Sequence, residues 1–406
     1  MIYADNAATT KMSETARQAM LPYLDGVYGN PSSIHRMGQE ARAALEDART
    51  RIARALHCQS REILFTSGGS ESDNQAIRSA ARLGARTEQR HIITTAFEHH
   101  AVLHTVQKLE QEGFRVTWLK IPENGIILPS QVEEAICGDT CLVSVMFANN
   151  EIGTIQPVAE IGAICRKKGV LFHTDAVQAA GHIPIDVKEM NIDLLSLSAH
   201  KFHGPKGAGV LYVRRGIRLS NLIEGGAQER GLRAGTENLA AIQGMAAALE
   251  EACGAETGAL QGTSRMAAAA AYTAALRDRL IQGLDQIPYG ILNGDRERRL
   301  PGIINYCFEG IEGETLLLLL DERGICASSG SACTSGSLDA SHVLLALGRS
   351  RSLAFGSLRI SLCKLNTEEE VEELIEAVTE CVRRLREDSP GWQDRVCGRV
   401  PLELAR

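Results

Sequence analysis

No apolar run in this chain is long enough to cross a bilayer. The longest aliphatic stretch, Leu316 to Leu320, is five residues fenced by Glu314 and Asp321, against the ~20 that a transmembrane helix needs. There is no basic excess either. The 43 Lys+Arg against 50 Asp+Glu give a net charge of −7, which argues against a nucleic-acid or anionic-membrane binder whose affinity rests on a basic surface. The opening residues Met1-Ile2-Tyr3-Ala4-Asp5 lack the basic and apolar regions of a secretory signal, so the chain is expected in the cytoplasm. Aromatics are sparse, at 4%. None of the eleven cysteines forms a Cys-x-x-Cys pair, and in a cytoplasmic chain they read as reduced thiols, most of them small buried hydrophobes. Cys137 and Cys141 have no second Cys/His pair nearby, which speaks against structural zinc.

With 44% hydrophobic and 23% charged residues over 406 positions, the composition is that of a globular protein of two or three domains, or of one large α/β unit with appendages. Short apolar runs at 62–66, 91–94, 141–146, 170–173 and 193–197 read as buried strands. Between them, 72–83, 100–112 and 158–168 have helical length and apolar spacing. The alternation predicts an α/β fold, mainly a parallel sheet flanked by helices. The Ala-rich stretch Met266 to Leu280 predicts a long connecting helix. A second unit follows, with a terminal helix capped by Thr367, acidic in its first turn and basic in its last. Beyond Pro390 the pattern fades.

Four constellations carry chemistry. Ser67-Gly68-Gly69-Ser70, after a strand and opening a helix, suits a phosphate: glycines admit close approach and the helix start offers free N–H groups. It equally fits a plain capped turn. Asp175 ends one strand, and Lys201 follows 26 positions later in Ser198-Ala199-His200-Lys201. Such an amine can capture a carbonyl cofactor, and such a carboxylate can face a protonated pyridine nitrogen. Each alone is an ordinary strand-end residue; together with the phosphate cradle they favour the cofactor. Cys333 stands alone among Gly, Ala, Ser and Thr at 327–337, the setting of an accessible thiol. Arg230, Arg233 and Arg359 are candidate anion holders, and His99 and His100 sit at a strand exit.

In this combination the sequence resembles the pyridoxal-phosphate-dependent cysteine desulfurases of the NifS/IscS class, within the aminotransferase class V group. The resemblance runs from Tyr3-Ala4-Asp5-Asn6-Ala7-Ala8-Thr9-Thr10 through Gly29-Asn30-Pro31-Ser32-Ser33 to Ser389-Pro390-Gly391-Trp392, and the stretch Ser328 to Ser335 is its most diagnostic part. It implies an aspartate-aminotransferase-like fold (type I of the pyridoxal-phosphate enzymes). A large cofactor domain would span 15–260, a smaller α+β domain 1–14 and 261–390, and a tail 391–406. Lys201 would carry pyridoxal 5′-phosphate as a Schiff base, Asp175 would partner the ring nitrogen and His99 would lie over the ring. Gln178 and Asn150 would bond the phenolic oxygen and a substrate group. Gly69, Ser70, Ser198 and His200 would hold the phosphate, with Thr236 reaching in from a second subunit of a homodimer. Arg359 and Asn30 would hold the substrate carboxylate.

The implied activity turns L-cysteine into L-alanine and leaves a persulfide on Cys333 for an iron–sulfur scaffold protein or another acceptor. Carrying that sulfur, Cys333 would be a transient iron–sulfur ligand. Where the family usually shows Ala-Thr, this chain has Gly69-Ser70, which keeps the hydroxyl donor. A selenocysteine lyase, or a related lyase or aminotransferase with the same cofactor, stays open at this point, as does a non-catalytic sulfur-carrying scaffold.

Overall fold

The computed structural model describes residues 1–254, 259–329, 340–398 and 401–404. Its larger part is a seven-stranded sheet made of β1 (Ile63–Thr66), β2 (His91–Thr95), β3 (Arg115–Leu119), β4 (Thr140–Ser144), β5 (Leu171–Asp175), β6 (Leu194–Ser198) and β7 (Gly209–Val213). Across the sheet they run β1-β7-β6-β5-β4-β2-β3. All are parallel except β7, which lies antiparallel between β1 and β6. β1, β2, β4, β6 and β7 bury every residue, as strands covered by helices on both faces must. Neither β3 nor β7 was among the expected strands. β3 is a sheet edge whose Arg115 and Thr117 interrupt the apolar run, so no buried-strand signal survives there.

The flanking helices are α1 (Arg36–Ala55), α2 (Gly69–Ala85), α3 (His100–Gln111), α4 (Val158–Lys168) and α5 (Leu239–Cys253). α4 stops where Gly169 turns left-handed at φ 71°, a conformation that glycine adopts without a steric cost. α6 (Ala259–Leu284) extends the expected connecting helix at both ends.

A second core follows. β8 (Gly290–Leu292), β9 (Ile303–Phe308) and β10 (Ser357–Ser361) form an antiparallel sheet in the order β10-β9-β8. α6 and α7 (Glu368–Glu387) pack on it through Leu276, Leu280, Leu374 and Val378. Ile2 and Ala4 lie in this core too, because Ile2–Tyr3 pairs in parallel with Ile325–Cys326. The chain's first residues are thus anchored here and then cross to the large sheet. α7 begins with the Thr367 cap and a reciprocal Glu370 bond, as its sequence predicts.

The expectation that structure fades after Pro390 is overturned. α8 (Pro390–Val396) follows, and its Trp392 is buried under the Arg386 guanidinium, 4.4 Å from the ring centre. A helix this short carries too few apolar repeats for periodicity to show it. Among the described cysteines, Cys137 and Cys397 are exposed rather than packed. No described helix is long and apolar enough to cross a membrane.

Candidate active site

The carboxyl ends of β1, β2, β4, β5 and β6 converge on one cavity of about 270 Å³, where open parallel sheets generally place their ligands. Its floor begins at β1. Gly68 stands at φ 156°, ψ −177°, a backbone region essentially reserved for glycine, and β7 approaches so closely that a Cβ on Gly209 would lie 2.6 Å from the Gly68 Cα. The chain then enters α2, whose first N–H groups have no partner within the helix, with Gly69 and Ser70 in the cavity wall. Behind this turn, Glu71 accepts from the Ser67 N–H at 2.9 Å and from Arg233 Nε at 2.9 Å. Burial pushes the Glu71 carboxyl up, but Arg233 and Ser67 outweigh it and hold it below its ordinary value. Arg233 therefore braces the turn. Arg230 donates to the carbonyls of Arg61 and Ile63, so neither of these arginines is an anion holder in the cavity.

Asp175, at the end of β5, accepts from the Val177 N–H at 2.9 Å and is buried. Burial, and Asp73 close by, push its carboxyl up to about 7. β6 delivers Ser198, His200 and Lys201 to the same wall. The Lys201 Nζ donates to the Ala7 carbonyl at 2.6 Å and to the Ala8 carbonyl at 2.8 Å. Gln178 donates to the Ala7 carbonyl as well, at 2.9 Å. The N-terminal segment is therefore part of the site.

His99 caps α3 by accepting from the Ala101 N–H through Nδ1 at 3.2 Å, and it lines the cavity. Burial, then the nearby Lys201, push it down to about 4, so it is a neutral ring at pH 7. Burial and Lys201 likewise push His200 down to about 4. Asn150 and Arg359 close the far side. Arg359 is buried on β10 and donates to the Asn150 carbonyl and to Asp5 Oδ1, each at 3.1 Å, while its Nε has no partner.

Ten expected residues thus meet in one cavity: Gly69, Ser70, His99, Asn150, Asp175, Gln178, Ser198, His200, Lys201 and Arg359. Two do not. Asn30 is exposed and turns its Oδ1 to the Ser32 N–H; Thr236 is exposed and outside the cavity lining. Cys333 lies outside the described residues. Both ends of its segment are nevertheless fixed to the site. Ser328 pairs with Arg359, and the Ser341 hydroxyl donates to Glu151 at 2.5 Å.

Sequence reasoning missed Asp73, which also lines the cavity, and the Ala7 and Ala8 carbonyls. Asp73 had a signal, for it lies three residues after Ser70 and so on the same face of α2. Asp73, His99 and Asp175 bring ligand atoms within 4.8 Å of one another, as do His91, Cys137 and Asp139 at the other end of the sheet. In the second group Arg115 already bonds Cys137 at 3.0 Å and Asp139 at 2.9 Å, filling the place of a cation.

Residues 2–374 match the family model "Aminotransferase class-V". The chain is 50% identical over 396 residues to "Cysteine desulfurase IscS" of Clostridium botulinum (strain Hall), covering 97% of each chain. It is 51% identical over 389 residues to the protein of that name from Methanosarcina thermophila, covering 96% of this chain and 94% of the relative. A solved structure described as a NifS-like protein superposes with a TM-score of 0.86 at 40% identity, over 95% of this chain and 100% of the other. With parallel strands delivering a lysine, a buried aspartate and a glycine turn at a helix start to one cavity, the chain belongs to the class-V aminotransferase family, within its cysteine desulfurases of the NifS/IscS class.

Proposed function

We propose that the cavity binds pyridoxal 5′-phosphate and L-cysteine, and that sulfur leaves cysteine as a persulfide on Cys333 with release of L-alanine. One observation carries this reading. A single cavity is lined by an amine (Lys201), a buried acid (Asp175), a neutral imidazole (His99) and an anion-binding turn (Gly69, Ser70) with Ser198 and His200 beside it. The donor set fits the cofactor, and the missing Cβ of Gly69 leaves its turn room against Val177. When bound, the cofactor supplies an electron sink for the carbon that loses sulfur.

The chain's own residues divide the remaining work. Lys201 would hold the cofactor and would move the α-proton at its Nζ. Asp175 would pair with the ring nitrogen, His99 would lie against the ring, and Gln178 and Asn150 would bond the phenolic oxygen and a substrate group. Arg359, with its Nε unpartnered, would take the substrate carboxylate without Asn30, which stands outside the cavity. The Cys333 thiolate attacks the substrate sulfur: an S–S bond forms and the C–S bond breaks. The departing carbon keeps the electron pair and is protonated to the methyl group of alanine, so Cys333 is oxidised as that carbon is reduced.

Thr236 would complete the phosphate site of a second copy, and a homodimer has support in the exposed apolar side chains Leu21, Leu24, Tyr28 and Ile34. An iron–sulfur scaffold protein in the cytoplasm is the proposed acceptor. Residues 15–260 form the cofactor domain in this reading, and 1–14 with 261–390 the second domain. The test is alanine and sulfide release from L-cysteine by the wild type, Cys333→Ala and Lys201→Ala. Both variants should lose activity, and full retention by Cys333→Ala contradicts the persulfide step.

A further inference from the structure

Asp73 is 1% exposed on the first turns of α2 and lines the cavity, yet neither of its carboxylate oxygens makes a hydrogen bond of good geometry. The His173 Nε2 approaches one of them only to 3.5 Å. That histidine brings no charge. Its ring nitrogens are engaged by the Ser144 hydroxyl at 2.8 Å and the Ser196 hydroxyl at 3.1 Å, and burial pushes it down to about 4. Asp175, two residues along β5, brings an oxygen within 4.8 Å of Asp73.

The other titratable neighbours offer no cation between the two acids. From the turn between β2 and α3 come Glu98, which burial pushes up to about 8, and the neutral His99. Lys201 is held by the Ala7 and Ala8 carbonyls and Arg359 by Asp5 and Asn150. Two buried carboxylates this close resist ionising together, and they titrate as a pair. Burial pushes each up to about 7; at Asp73 the Ser196 hydroxyl is a partial offset, and at Asp175 the Val177 N–H, His173 and Lys201 pull down without outweighing burial and Asp73.

We propose that Asp73 is a positioning residue that shares one proton with Asp175 and keeps it in the cavity wall where the cofactor's ring nitrogen would bind. Before binding, the pair carries one proton and one negative charge. The ring nitrogen of free pyridoxal 5′-phosphate already bears a proton at pH 7, so its arrival would let both carboxylates ionise around it, and the shared proton would be released to solvent. A single carboxylate at this spot would have no such proton to release. This rests on the pyridoxal 5′-phosphate reading of the cavity.

The experiment is calorimetric titration of pyridoxal 5′-phosphate into full-length apoprotein at pH 7, in buffers of different ionisation enthalpy, which counts the protons exchanged. Wild type and Asp73→Asn share every other protonation step, so their difference isolates the pair. The variant should release close to one proton fewer per cofactor. Equal counts overturn the proposal while leaving the cofactor reading intact, and failure of the wild type to bind the cofactor overturns both. Should Asp73→Asn not fold, infrared difference spectra of the wild type decide: a protonated-carboxyl band in the apoprotein must vanish on binding, and its absence or persistence refutes the shared proton.

Discussion

The Arg359 backbone N–H donates to the Ser328 carbonyl at 2.6 Å, and the Ser328 N–H returns to the Arg359 carbonyl at 3.1 Å. β10 therefore carries both the arginine of the cavity and the start of the segment that contains Cys333. In the proposed reading, the residue that takes the substrate carboxylate is thus also the one that pairs with Ser328, five residues before Cys333.

Arg359→Lys tests the carboxylate role. Lysine cannot reproduce the planar fork, and the loss of a charge-assisted hydrogen bond is worth about 1.5–3 kcal/mol, or about 10- to 150-fold. The KM for L-cysteine should rise by that factor, with the visible absorbance of the bound cofactor unchanged. An unaltered KM would remove Arg359 from the substrate site.

The other end of the Cys333 segment depends on Ser341, whose hydroxyl serves the buried Glu151 and also caps the short helix His342–Ala346. Burial pushes Glu151 up to about 7, against the opposing pull of Ser341 and then Arg359. Ser341→Ala removes a cap and leaves a buried carboxyl without its donor, a loss of about 1–3 kcal/mol. The melting temperature should fall, and sulfide release should drop while cofactor affinity holds. Normal turnover in the variant would show that this anchor does not matter to the chemistry.

Four buried carboxyls lie above their ordinary range for the same leading reason, burial: Asp73, Asp175 and Glu151 at about 7 and Glu98 at about 8. Each binds its proton more tightly in the folded chain than in the unfolded one. Their stabilising contribution is fully present below the unfolded values and is lost as pH rises through 7 to 8. His99, His173 and His200 work oppositely, being pushed by burial from 6.5 down to about 4, so their effect lies below pH 6.5. Between pH 6.5 and 8 the carboxyls dominate. Urea unfolding of the apoprotein should show stability falling across that window, by roughly 1 kcal/mol for each carboxyl that titrates. A flat or rising profile would contradict these assignments.

Lys201, Asp175 and the glycine turn were legible because each ends a strand whose apolar run is itself legible, and a parallel sheet brings all such ends to one side. The N-terminal contribution was not. That the Ala7 and Ala8 carbonyls meet Lys201 depends on Ile2–Tyr3 pairing with Ile325–Cys326, a contact across more than three hundred residues that no local pattern encodes. Asp73 escaped because an acid early in a helix is ordinary until its burial is known. Arg359 could be named as an anion holder only by residue type, because the alternation in Ser357-Leu358-Arg359-Ile360-Ser361 reads as a strand with an outward polar face, whereas every residue of β10 is buried.

Gly69 has a neighbour that leaves little room for a larger residue. A Cβ on Gly69 would lie 2.6 Å from the Val177 Cγ2, and Val177 holds the N–H that bonds Asp175. Valine is β-branched and cannot easily swing its methyl aside. Gly69→Ala should therefore overpack the turn at a cost of about 1–3 kcal/mol, lowering the melting temperature and weakening cofactor binding by way of a displaced Asp175. Val177→Ala removes the offending methyl. The double variant Gly69→Ala/Val177→Ala should recover much of the loss, with a coupling of about 0.5–3 kcal/mol in the double-mutant cycle. Simple additivity of the two changes would show that glycine serves the anion-binding turn by itself, independently of Val177.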